Sequence, residues 1–112
     1  METQYKWLPA LYATYYGILV EVAKEHGYAL GLHGTLTRDF DIIAVPWTQE
    51  ASSHLDLLKA INNIIGIDRR SEKPFDSTEI KPHGRVSYTL QCGGGGYFDI
   101  SIMPLVGVDD AK

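Results

Sequence analysis

An α+β fold is what the 112-residue sequence predicts, and three observations predict it. Two stretches place apolar residues at three-four spacing, several short runs alternate apolar with polar residues, and a glycine-rich junction joins the last two of those runs as a hairpin. The length is that of one domain, so residues 1–112 read as a single unit with one core. With 45% hydrophobic and 21% charged residues, disorder is expected only at the ends.

From Leu8 to His26 the apolar positions 8, 11, 12, 15, 18, 19, 22 and 23 share one helix face; Pro9 suits the first turn and Gly27 stops the helix. The Tyr12, Tyr15, Tyr16 cluster reads as part of the core stripe, with hydroxyls reaching the rim. Tyr28 to His33 reads as a short strand and Gly34 to Arg38 as a tight connection. Asp39 to Val45 reads as a strand apolar on both faces beyond its aspartates, hence central. Pro46-Trp47-Thr48 breaks that strand, and Thr48 is placed to cap a second helix that reaches Ile65. Leu55, Leu58, Ile61 and Ile65 form its expected buried stripe, with Gly66 after it.

The segment Asp68 to Asp76 is charged and loop-like. Ser77 to Ile80 is a candidate edge strand, and Arg85 to Gln91 and Tyr97 to Met103 flank Gly93–Gly96 as a hairpin. Val86, Tyr88, Leu90, Phe98, Ile100 and Ile102 make its apolar face, while Ser87, Thr89, Asp99 and Ser101 fall on the polar one. The tail after Leu105 is expected to be loose.

A net charge of −4 and a pI near 5.4 argue against tight non-specific binding to nucleic acid, which needs a Lys/Arg surface. A nucleotide is easier to accommodate, because metal ions and a few donors suffice. Cys92 is the single cysteine, which excludes an internal disulfide, fits a reducing compartment and, lacking an adjacent base, has no catalytic role. No signal peptide or membrane span is evident, so the expected location is the cytoplasm, with no membrane partner.

The chemistry concentrates in Leu32-His33-Gly34-Thr35-Leu36-Thr37-Arg38-Asp39-Phe40-Asp41. On a strand Asp39 and Asp41 point to one face, roughly 7 Å apart along the backbone. At about 4 Å between carboxylate oxygens and an effective dielectric of ~20, their repulsion is on the order of 4 kcal/mol. A protein would avoid this unless a cation or a proton offsets it, and a divalent metal, Mg²⁺ or Mn²⁺, is the natural partner. If the hairpin lies beside this strand, Asp99 joins as a third carboxylate. Two could then hold metal while the third takes a proton from an attacking hydroxyl or helps hold a second ion. The plainer alternative has Asp39 ending a turn, Asp41 solvated and Asp99 on an exposed hairpin face.

Gly34-Thr35 can offer backbone N–H groups and a hydroxyl to phosphate oxygens. Arg38 can clamp a phosphate or pair with the aspartates. His33, beside the glycine turn, can contact a metal or ligand, or serve as a hydrogen-bonded structural residue. The tetraglycine leads into a strand rather than a helix, so it reads as a hairpin loop and not a phosphate cradle. Lys81-Pro82-His83-Gly84-Arg85 is either a simple turn or a basic cleft wall in which His83 and Arg85 face the acids.

In order and strand context, Gly34-Thr35, Asp39-Phe40-Asp41 and Asp99 within Tyr97-Phe98-Asp99-Ile100-Ser101 resemble the nucleotidyltransferase superfamily of the DNA polymerase beta type. The chain is more closely similar to small nucleotidyltransferase-like proteins of phages and prophages. They share the His33-Gly34-Thr35 turn, Arg38-Asp39-Phe40-Asp41 with Ile43-Ala44-Val45-Pro46-Trp47, Lys81 to Arg85, and Asp99 to Pro104, over most of residues 28 to 104. The resemblance implies a mixed sheet flanked by about two helices and metal-dependent transfer of a nucleoside monophosphate from a nucleoside triphosphate to an unknown acceptor. Asp39, Asp41 and Asp99 would be its catalytic and metal residues, Gly34, Thr35 and Arg38 its phosphate contacts, and a host-cell cytoplasm its place if phage-encoded.

One departure marks this chain. Only Leu36, Thr37 and Arg38 separate the glycine turn from Asp39, which removes the helix N-terminus that in active members helps hold the triphosphate. A catalytically inactive nucleotide-, metal- or protein-binding module is therefore the second reading. A structural protein whose acids pair with Arg38 and Arg85 is the third.

Overall fold

The computed structural model describes residues 9–33, 40–66, 72–75, 77–93 and 96–105. Along the chain these form α1 (Pro9–Glu25), β1 (Tyr28–His33), β2 (Phe40–Pro46), α2 (His54–Ile65), β3 (Ser77–Ile80), β4 (Val86–Gly93) and β5 (Gly96–Ile102), with a 3₁₀ turn at Pro82–Gly84. The strands make one mixed sheet in the order β1-β2-β5-β4-β3. Neighbours are antiparallel except β2 and β5, which run parallel with Asp41 opposite Asp99 and Ile42 opposite Ile100. Two helices and a five-stranded mixed sheet are an α+β fold. The expected Gly34–Arg38 connection, Asp39, most of the Asp68–Asp76 segment, the centre of the tetraglycine and the tail after Leu105 lie outside the described residues.

The core lies between the helices and one sheet face. Ile42, Ala44, Leu90, Phe98, Ile100 and Ile102 come from alternate strand positions and are buried together with Tyr12, Leu19 and Ala23 of α1 and Leu57, Leu58, Ile61 and Ile65 of α2. Period-two alternation puts the intervening residues, among them Asp41, Ile43, Asp99 and Ser101, on the other face. No helix covers that face among the described residues, and no described helix is long and apolar enough to cross a membrane.

Tyr12 fixes α1 on the sheet. Its ring meets Phe98 edge-on, with centroids 5.4 Å apart, and its hydroxyl donates to the Tyr97 carbonyl and accepts from the Tyr97 N–H, each at 3.4 Å. Tyr16 donates to the Leu30 carbonyl at 3.1 Å. Gly27 then reverses the chain at φ +86°, its N–H bonded to the Lys24 carbonyl at 3.1 Å. A Cβ there would sit 2.7 Å from Ala51 Cα, so the position needs glycine for both its torsion and its space.

Three expectations are corrected. Thr48 does not cap α2: its hydroxyl serves a local turn, accepting from the Glu50 N–H at 3.3 Å, and the helix begins at His54 with Ser53 as cap, accepting from the Asp56 N–H at 3.1 Å. Leu55 is 40% exposed, because it lies six residues from Ile61 and so about 120° around the helix; Leu57 takes its place in the stripe. Ile18 is likewise turned outward at 46%, and β2 is flanked by strands on both sides but leaves Val45 45% exposed on the uncovered face.

At the start of α2, His54 Nδ1 and the Tyr88 hydroxyl share a 2.9 Å hydrogen bond. Burial lowers the His54 pKa and raises that of Tyr88. A depressed histidine pKa means that the unfolded chain binds the proton more tightly, so stability present above the ordinary histidine range is lost as pH falls through the folded-state value. Chemical denaturation at successive pH values is expected to show this acid-side loss in the native protein and a weaker one in His54→Asn. By the same assay, Gly27→Ala should lower stability by roughly 1–3 kcal/mol.

Candidate functional site

Strand pairing assembles one polar row across the uncovered face. Asp41 on β2 is the partner of His33 on β1 and of Asp99 on β5; Asp99 is the partner of Thr89 on β4, and Thr89 of Ser77 on β3. Partners in adjacent strands point the same way about 4.8 Å apart, so the two carboxylates stand side by side. Both residues are partly buried. At roughly 5 Å and an effective dielectric of ~20, two ionised carboxylates repel by on the order of 3 kcal/mol.

The row answers part of this with donors. Thr89 Oγ1 donates to Asp99 Oδ1 at 3.0 Å, and Ser77 Oγ donates to Thr89 Oγ1 at 3.1 Å. One row further along, Ser101 Oγ donates to Ser87 Oγ at 3.3 Å, with Ser101 itself buried. These hydroxyls were visible in the sequence only as the polar half of an alternating hairpin. Their chemical role depends on which strands pair and in what register, and alternation within one strand carries no signal of that.

Asp41 is the second residue of β2, beside the end of β1 at His33, and Asp99 is the middle residue of β5. Gly34, Thr35, Arg38 and Asp39 belong to the six-residue connection from His33 to Phe40 and lie outside the described residues, as does the His33 side chain.

His83 and Arg85 stand elsewhere. The Lys81–Arg85 segment is the turn between β3 and β4, closed by the Lys81 N–H donating to the Arg85 carbonyl at 2.7 Å, with His83 at φ 68° and Gly84 at φ 76°. Arg85 precedes Thr89 by four residues, which on a strand is about 13 Å. Of the two alternatives for Lys81–Arg85, the segment has the form of the simple turn. Arg85 Nε is buried without a hydrogen-bond partner among the described residues.

A concavity of about 280 Å³ beside α1, lined by Val20, Lys24, Tyr28, Ala29, Leu30 and Trp47, also lies away from the acids. The candidate site is thus a stretch of open sheet face. Among the described residues no three His, Cys, Asp or Glu side chains form a metal set. Two adjacent carboxylates nevertheless suit a hard dication that keeps several waters or phosphate oxygens as its remaining ligands.

Asp99→Asn keeps an acceptor for Thr89 while removing one of the two like charges. In cation-free buffer it is expected to raise unfolding stability by about 1 kcal/mol or more, bounded by the Coulomb figure above, as read by urea denaturation with a chelator present. Comparison of the chain with protein families, with curated proteins and with solved structures finds no match.

Proposed function

We propose that the protein is a metal-dependent nucleotidyltransferase that moves a nucleoside monophosphate from a nucleoside triphosphate to an acceptor hydroxyl. The observation that carries this reading is the register of β2 with β5, which sets Asp41 beside Asp99 on a sheet face that no helix covers among the described residues. Asp39, two residues before Asp41, supplies the third carboxylate.

A bound Mg²⁺ or Mn²⁺ supplies charge neutralisation for the phosphate oxygens. Asp39 and Asp41 would hold it, and Asp99 would either complete the ligand set or accept the proton of the acceptor hydroxyl. The acceptor oxygen forms a bond to the α-phosphorus, the bond from that phosphorus to the pyrophosphate oxygen breaks, and pyrophosphate leaves. Gly34 N–H and the Thr35 hydroxyl contact phosphate oxygens, and Arg38 faces the negative charge that develops on them.

The three-residue spacing between Thr35 and Asp39 favours a second reading, a nucleotide- or metal-binding module without turnover. One experiment separates the two. Protein incubated with α-labelled nucleoside triphosphates and Mg²⁺ or Mn²⁺ is expected to release pyrophosphate, at a rate cut by about 100-fold or more in Asp41→Asn. Mn²⁺ binding lost in Asp41→Asn, with no turnover in either protein, supports the binding module. Neither binding nor turnover in the unaltered protein overturns both.

A further inference from the structure

β1 forms one edge of the sheet, with β2 as its single strand neighbour among the described residues. The ladder fixes which way its backbone groups turn. Trp47 N–H donates to the Gly27 carbonyl at 3.0 Å, and Tyr28 stands opposite Pro46, so Gly27 opens a hydrogen-bonded pair. Bonded pairs alternate in an antiparallel ladder; Ala29, Gly31 and His33 therefore turn toward β2, whereas Tyr28, Leu30 and Leu32 turn their N–H and C=O groups outward. The Tyr16 hydroxyl reaches the Leu30 carbonyl from α1 at 3.1 Å and marks the same outward side. A carbonyl oxygen keeps a second lone pair, so Leu30 can accept another bond there.

The two edges of the sheet are built differently. β3 is four residues long and carries Glu79, ion-paired to Lys81 at 3.1 Å, a common guard against strand addition. β1 runs six residues with no proline and no Lys, Arg, Asp or Glu. Along it lies the concavity of about 280 Å³ bounded by Val20 and Lys24 of α1, by Tyr28, Ala29 and Leu30, and by Trp47. Leu32, further along the same strand face as Tyr28 and Leu30, is 45% exposed. Gly31 answers to no need of the single chain: its φ is not left-handed, and a Cβ there would meet nothing within 4 Å. A glycine inside a strand weakens it and often marks the close approach of another backbone.

Antiparallel pairing of two β1 strands uses all of these features together. The register that pairs every outward residue is centred on Leu30, with Tyr28 opposite Leu32 of the second copy and Ala29 opposite its Gly31. Leu32 of one copy then stands against Tyr28 of the other, at the concavity that Val20 and Leu30 help to wall. On the reverse face, the missing side chain of Gly31 leaves room for the exposed indole of Trp47 from the other copy. Ala13 and Gly17 are exposed on the α1 flank that carries Val20 and Lys24, and a Cβ on Gly17 would meet nothing within 4 Å, so the two helices can approach across the axis.

We propose that the β1 edge is the docking surface for a second copy of this chain, in which two β1 strands pair about a two-fold axis at Leu30 and Leu32 of each copy fills the concavity of the other. One contact, made twice, covers both exposed leucines and both concavities. The two sheets become continuous, and the face that carries Asp41 and Asp99 stays uncovered by the pairing. The inference does not depend on the proposed activity.

Sedimentation velocity of the full chain, from micromolar to hundreds of micromolar, is expected to show a monomer–dimer equilibrium. Leu32→Ala should raise the dissociation constant by about tenfold or more, through the apolar area lost at a leucine buried only in the dimer. Gly31→Val adds a strand-favouring side chain for which the single chain has room. Its urea midpoint, measured on dilute monomer, should not fall, while its dissociation constant rises by about tenfold or more. Amide exchange of Leu30 and Leu32 should slow as concentration rises, with Gly31, already paired to β2, changing much less.

A chain that stays monomeric throughout overturns the proposal. A dimer whose dissociation constant moves by less than about twofold in both variants has its interface elsewhere and overturns it as well. If Gly31→Val does not fold, Leu32→Ala decides alone, because it trims an exposed side chain of the monomer.

Discussion

Parallel pairing of β2 with β5 is the constraint on which the rest of the molecule depends. Parallel neighbours cannot be joined by a tight turn, so all of α2, β3 and β4 has to lie between them in the chain and still return β5 to the flank of β2. The same pairing puts Ile42, Ala44, Phe98, Ile100 and Ile102 into the core and Asp41 beside Asp99 on the reverse face. A slip of one residue would exchange those two sets and bury a carboxylate against α2. The cost of that exchange, several buried apolar side chains exposed and a charge desolvated, is what makes the register specific.

Core and site are thus two faces of one alternation, and the interactions that fix the first also orient the second. Tyr12 grips the backbone of Tyr97, two residues before Asp99, and stacks edge-on against Phe98, the residue between. Through β5 the packing of α1 determines where the Asp99 backbone stands. On the uncovered face the hydroxyls of Thr89, Ser77, Ser87 and Ser101 take the place that apolar residues would occupy in a sandwich. They allow carboxylates to lie partly buried on a sheet face that no helix covers among the described residues.

The two ends of the sheet differ in character. At one end the β3–β4 turn is closed by its own backbone, with His83 and Gly84 in the left-handed region and Gly84 packed toward Pro104. At the other, β1 ends at His33 and β2 begins at Phe40, one residue before Asp41. Arg85 stands four residues before Thr89 on β4, roughly 13 Å along the strand from the row that holds Asp99.

What the sequence by itself determined is local. Three-four spacing marked α1 and α2, Gly27 marked the end of the first helix, and period-two alternation marked β1, β4 and β5 and assigned Asp99 to the polar side of the hairpin, because each of these depends only on backbone geometry between near neighbours. Even locally, competition between caps escaped it: Thr48 and Ser53 are both good N-cap residues, and the local turn at Thr48 took the first out of contention. Strand order, the parallel register of Asp41 with Asp99, the Ser77–Thr89–Asp99 chain of hydroxyls and the placing of Arg85 at the far end were decided only by the tertiary structure. They join residues far apart in the chain, and the burial that selects one pairing over another is a property of the whole core.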